Sequence, residues 1–148
     1  MARALRTDLP DGLFHVTARA VAGTPLYRDG EDCRTFLQLL AQVIPRFGWH
    51  CYALCLMTTH YHLVLESTRR ALSLGVQRLN GLYAISFNRR YERKGHLFGG
   101  RFWSSVIETE QHLRQACDYV LENPVRGGLC DEPGDWRWSA CRDAHGTS

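Results

Sequence analysis

Apolar and polar positions change period several times along the chain, and each change marks an element. Over residues 13 to 20, Leu13, His15 and Thr17 alternate with Phe14, Val16 and Ala18, which suits a strand with two unlike faces. A turn-rich stretch holding Gly23, Pro25 and Gly30 follows. In EDCRTFLQLLAQVIPRFG, Phe36, Leu39, Leu40, Val43 and Phe47 recur at helical spacing; Glu31 and Asp32 favour the start, and Gly48 favours the end. Pro45 should kink or shorten the last turn. Residues 49 to 57 and 60 to 66 read as two strands of a hairpin joined by Thr58 and Thr59.

A second helix is predicted from about Leu72 to Tyr91, with Val76, Leu79, Leu82, Tyr83 and Phe87 as its stripe and Gly75 and Gly81 as weak points. A fourth strand falls near 102 to 108. A third helix runs from about Glu110 to Glu122 and stops at Asn123-Pro124, because the residue before proline disfavours helix. From about residue 126 the chain reads as a looser tail with Trp136 and Trp138. The order β-α-β-β-α-β and then a helix implies a single α+β domain over residues 1 to 148. Its form is a ferredoxin-like split βαβ antiparallel sheet with helices on one face, plus a C-terminal helix.

The alternation has a chemical consequence in HYHLVLE. His60 and His62 share one face with Val64, while Tyr61, Leu63 and Leu65 point toward the helices. Two imidazoles ~6–7 Å apart along a strand can converge on one divalent ion; two polar residues on a wet sheet face is the competing reading. Tyr119 and Asn123 lie four apart on the third helix, on the shoulder of the stripe Leu113, Ala116, Cys117 and Val120. Asn123 offers a neutral oxygen and Tyr119 a phenol. Taken alone, the pair is better read as a boundary tyrosine beside a helix-stopping Asn-Pro. Tyr61 faces away from the histidines and belongs to the core.

Charge modifies this picture locally. The net charge of +3 is small, yet between Arg78 and Arg101 the cations Arg78, Arg89, Arg90, Arg93, Lys94 and Arg101 face one acid, Glu92. That balance raises a polyanion such as nucleic acid as a partner, although charge alone favours a solvated helix face. Arg89, Arg90, Arg93, Lys94 and Arg101 are the candidates for phosphate contacts, with His96 and Arg126 behind them. Trp103, Trp136 and Trp138 read as core anchors. No apolar run reaches the length of a membrane span, and the basic N-terminus lacks an export signal's apolar region, so a cytoplasmic location is expected. None of the six cysteines forms a C-x-x-C pair, and buried thiols are expected rather than a disulfide framework.

Three co-linear stretches then carry a resemblance. FHVTARAVAGTPLYRDGEDCRTFLQLL, YALCLMTTHYHLVLE and GHLFGGRFWSSVIETEQHLRQACDYVLENPVRGGL, with the tail DWRWSA, resemble the single-tyrosine HUH transposases. Among these they resemble the REP-associated tyrosine transposases. The resemblance implies that His60, His62 and Asn123 hold Mg²⁺ or Mn²⁺ and that Tyr119 is the nucleophile. It implies cleavage and rejoining of single-stranded or hairpin DNA, REP-like repeats among the candidates, through a 5′-phosphotyrosine intermediate, by a monomer or homodimer. Thr58-Thr59 and Glu122 depart from the family pattern, and Glu122 adds a carboxylate that could compete with Asn123. Two other classes stay open: a non-catalytic single-strand-binding module of the same fold, and a structural zinc protein in which His15 or cysteines join the histidines.

Overall fold

Alternation in GLFHVTAR gives strand β1, Gly12–Arg19, the second strand in from one edge of the sheet. The computed structural model describes residues 12–141. The N-terminal segment read as lacking an export signal, and residues 142–148 of the expected tail, lie outside the described residues. After β1 come α1 (Gly30–Arg46), β2 (His50–Leu56), β3 (His60–Ser67), α2 (Arg69–Arg90), β4 (Trp103–Ile107), α3 (Glu110–Arg126) and β5 (Ser139–Cys141). Among the described residues these strands form one antiparallel sheet in the order β4-β1-β3-β2-β5. The split-βαβ arrangement read from the sequence is present.

Helices α1 and α2 begin on side-chain caps. Asp29 Oδ1 accepts from the Asp32 N–H at 3.0 Å to start α1, and Thr68 Oγ1 accepts from the Ala71 N–H at 3.1 Å to start α2. Helix α1 ends just after Pro45, where Gly48 takes φ +64. The two helices cover one sheet face. Phe14, Val16, Ala18, Leu56, Tyr61, Leu63 and Leu65 from the strands meet Phe36, Leu40, Val76, Leu79, Tyr83 and Phe87 from the helices. Tyr61 is fully buried there, and its hydroxyl donates to Asn80 Oδ1 at 2.6 Å. Helix α3 lies on the opposite face, with Ala116, Cys117 and Val120 packed over Ala53, Cys55, Val64 and Ile107.

Two elements differ from the sequence reading. Helix α3 runs through Pro124 to Arg126 instead of stopping at Glu122. A proline in the last turn removes one N–H donor and leaves little helix beyond it to disrupt. The Tyr119 carbonyl in that turn accepts from Arg126 Nη2 at 2.7 Å, and the Leu129 N–H closes the end onto the Pro124 carbonyl at 2.8 Å with Gly128 at φ +75. The tail is not loose either: β5 pairs with β2. Trp136 Nε1 donates to the Leu56 carbonyl at 3.0 Å, and the Leu56 N–H donates to the Trp138 carbonyl at 2.9 Å. Trp136 and Trp138 thus anchor the tail as read, one against each core layer.

Gly75 shows how closely α2 seats on the sheet. A Cβ there would run into the indole of Trp49, a buried ring whose Nε1 donates to the Ala71 carbonyl at 3.2 Å. Overpacking costs about 1–3 kcal/mol, against the ~1 kcal/mol that alanine gains over glycine in a helix. We therefore expect Gly75→Ala to lower the urea midpoint. Gly81→Ala, on the same helix with nothing within 4 Å of the added methyl, should raise it by the equivalent of about 1 kcal/mol.

Candidate functional site

The register of the sheet sorts the α3 face into two halves. Cross-strand partners share a face, so Trp103, Thr17, His62 and Cys55 form one row across β4, β1, β3 and β2. Arg19 and His60 form part of the row beyond it. His15 lies one row the other way, opposite Val64 and Ser105. The apolar stripe of α3 covers the half containing Val64, Ile107 and Ala53. The polar half stays open as a cleft of about 680 Å³. Its walls are His15, Thr17, Arg19, His62 and Trp103 from the sheet, with His112, Gln115, Ala116 and Tyr119 from α3.

His60 and His62 come together as the alternation requires, with ring centres 5.0 Å apart. His62 Nδ1 is engaged by His15 Nε2 at 3.0 Å and by Thr17 Oγ1 at 3.1 Å. His60 Nδ1 lies 3.1 Å from Thr59 Oγ1. Each ring therefore keeps its Nε2 for another partner. Burial pushes His60 down to about 4, with Arg19 adding repulsion. Burial pushes His62 down to about 3, helped by His60, His15, Arg19 and Arg126. Both rings are neutral at neutral pH, the form that offers a lone pair to a cation.

Tyr119 is 48% exposed, and its ring centre lies 6.1 Å from that of His62 and 5.8 Å from that of His15. Asn123, one turn later, is buried. Its Oδ1 accepts from Arg126 Nη2 at 3.1 Å, while its Nδ2 is buried with no hydrogen-bond partner. Arg126 also lies over the Tyr119 ring, 4.3 Å from its centre, and holds Glu122 Oε2 at 3.0 Å. One guanidinium thus ties together Tyr119, Asn123 and Glu122. Among the described residues no cluster of three or more His, Cys, Asp or Glu side chains is arranged to hold a metal, so a metal at the His pair would need an amide or another donor.

The cations nominated from sequence divide. Arg89, Lys94 and Arg101 are exposed, and the loop from 91 to 102 is stitched to the sheet end where His60 begins β3. The bonds are Gly99 N–H to the Arg19 carbonyl at 2.9 Å and Val21 N–H to the Leu97 carbonyl at 2.8 Å. Arg93 shapes that loop by donating to Asn88 Oδ1 and to the Gly95 and His96 carbonyls. Arg90 is a correction. Its guanidinium reaches Asp29, Glu31 and Asp32 at 2.8, 2.9 and 2.6 Å, which clamps α2 to the start of α1 and leaves no unpaired charge for a phosphate. Tyr91 joins that clamp through a 2.6 Å bond to Asp32 Oδ2.

Trp103 is a second correction. It is 55% exposed on edge strand β4, standing edge-on to His15 at 5.6 Å, and is not a core anchor. The sequence reading also passed over Thr17 and Arg19, and weighed His15 only as a possible zinc ligand. Their signal was the same alternation that paired the two histidines, continued along β1.

A family model described as Transposase IS200 like matches residues 16–123, a span that includes His60, His62, Tyr119 and Asn123. The chain belongs to this IS200-like transposase family. A Haemophilus influenzae protein, provisionally named a REP-associated tyrosine transposase, is 24% identical over 116 residues. That match covers 71% of this chain and 66% of the relative, so the chain spans just under two thirds of the relative's length. The solved structure of a REP-associated tyrosine transposase bound to a REP hairpin superposes with a TM-score of 0.75 at 17% identity, covering 94% of this chain and 82% of that one. A provisionally named transposase of Deinococcus radiodurans R1 gives 0.52 at 18% identity, covering 82% and 97%. No helix among the described residues of this transposase family member is long and apolar enough to cross a membrane.

The buried histidines make stability depend on pH. Their folded-state values lie below the ordinary 6.5, so the unfolded chain binds more protons as pH falls past 6.5. Stability is then full above that value and declines toward about 4 for His60 and about 3 for His62. We expect a loss of about 2 kcal/mol from His62 alone between pH 7 and 5, a window above the carboxylates. Urea titrations across it should show the fall, and His62→Gln should remove about half of it, the rest belonging to His60.

Proposed function

We propose that this transposase family member is a metal-dependent endonuclease and strand transferase acting on single-stranded flanks of hairpin DNA through a covalent 5′-phosphotyrosine. The observation that carries the reading is the meeting of neutral His62 and exposed Tyr119 at one open cleft, with neutral His60 against the His62 ring. Two imidazole nitrogens and one amide oxygen could hold a divalent ion such as Mn²⁺, or Mg²⁺ with waters completing its shell. His60 and His62 each retain Nε2, and Asn123 supplies a buried amide with one atom unpartnered. Turning that amide over would put Oδ1 in the unpartnered position, at the cost of its bond to Arg126. Glu122, already paired with Arg126, is the less available ligand. When bound, the ion would polarise the scissile phosphate.

The chain's own groups do the rest. The Tyr119 oxygen attacks phosphorus in line as its proton leaves. The bond from phosphorus to the 3′ oxygen breaks, that oxygen takes up a proton, and the 5′ phosphate remains on Tyr119 as a diester. Reversal by another 3′-hydroxyl rejoins strands without an energy source. Arg89, Arg93, Lys94 and Arg101 are the proposed phosphate contacts, with Arg19 added beside His60. The relative solved with a REP hairpin supports hairpin DNA as the substrate class. Tyr119 lies beside His62 of its own chain, which is compatible with cleavage by a monomer or by a homodimer.

Incubation of the protein with Mn²⁺ and a pool of DNA hairpins bearing randomised single-stranded flanks is the test. A covalent protein–DNA adduct is expected, abolished by chelation and by Tyr119→Phe or His62→Ala. Asn123→Ala should raise the Mn²⁺ requirement about tenfold or more. Binding without any adduct would replace this reading with the non-catalytic module.

A further inference from the structure

Trp103 has no structural duty that explains it. It is 55% exposed, more than any other tryptophan in the chain, and sits on edge strand β4. It is paired opposite Thr17, on the same face as His62 and His15, and forms one wall of the cleft that holds Tyr119. A single exposed ring is ordinary on a protein surface; this one is set apart by its place in the wall of the Tyr119 cleft. The other walls indicate the partner's chemistry. Arg19 supplies a positive charge, and Gln115 and His112 present polar groups from α3 one and two turns before Tyr119. No cleft residue is acidic. An apolar protein patch would leave Arg19, Thr17, His112 and Gln115 unmatched, whereas a nucleotide matches a ring, a cation and hydrogen-bonding side chains together.

We propose that the cleft holds one unpaired nucleotide with its base stacked on Trp103. Strand spacing supports the placement. Trp103 and His62 sit two strands apart in one row, ~10 Å across the sheet, so a base on the indole leaves its sugar and phosphate leading toward the histidines and Tyr119. Gln115 and His112, on the α3 wall, are placed to meet the edge of that base. Trp103 is thereby a substrate-positioning residue, which deepens the reading of the site as a single-strand DNA cleft and rests on it for the choice of polymer. It does not require that Tyr119 be the nucleophile.

The test separates stacking from cleavage by using the Tyr119→Phe protein throughout. Its affinity is measured for an oligothymidylate strand and for a strand of equal length made wholly of abasic sugar-phosphate. Phosphate contacts are common to both strands, so the ratio of affinities reads stacking alone. A preference for thymidylate of about tenfold or more is expected. Adding Trp103→Ala should erase that preference while leaving abasic binding and the thermal midpoint unchanged, and Trp103→Phe should keep most of it. A preference that survives Trp103→Ala overturns the proposal, as does failure of the protein to bind either strand. If the preference depends on Trp103 but no adduct ever forms on the unmutated protein, the stacking proposal stands and the nuclease reading falls.

Discussion

Every feature of the site depends on one geometric constraint: alternate residues of a strand share a face, and cross-strand partners share it too. On the α3 side of the sheet this brings His15, Thr17 and Arg19 of β1 beside His60 and His62 of β3 and Trp103 of β4. The same rule puts Val64, Ala53 and Ile107 on that face a few residues away. Helix α3 has apolar side chains enough to cover only the second group. Covering the first as well would bury the Arg19 guanidinium and the free Nε2 atoms of His60 and His62 without partners, at about 1–3 kcal/mol for each unsatisfied group. The open cleft is what remains when a helix stops covering where the polar rows begin.

Burial then sets the chemistry inside the opening. His62 is 6% exposed and lies among His60, His15, Arg19 and Arg126, all unfavourable to a further positive charge. A ring so placed is a poor proton acceptor, so its lone pair stays unprotonated at neutral pH. Arg126 links the two halves of the candidate machinery by lying over Tyr119 while holding the Asn123 amide. The opposite face of the sheet is different in kind. There the charged cluster of Arg90 with Asp29, Glu31 and Asp32 joins helices to one another and does not touch the cleft.

Much of this was legible in the chain because the signals were local and periodic. Alternation in LFHVTAR and HYHLVLE located two central strands and assigned Tyr61 to the core, where it is buried. What stayed hidden depended on distant partners. Strand β5 is three residues long and forms because Trp136 and Trp138 reach back to Leu56. Pro124 reads as a stop, yet Arg126 and Gly128 let the helix finish around it. Arg90 looks like its neighbours Arg89 and Arg93 until α1 places three acids beside it. Trp103 looks like core because tryptophan usually is; only its position on an edge strand, past the reach of α3, exposes it.

The central claim is that Tyr119 becomes covalently joined to DNA beside the histidine pair. The most direct measurement is peptide mapping of the protein–DNA adduct after proteolysis and nuclease digestion, by mass spectrometry. The account predicts a nucleotide phosphate on the peptide containing Tyr119 and on no other. A phosphate on a peptide carrying Tyr52 or Tyr91, with the Tyr119 peptide unmodified, would contradict it.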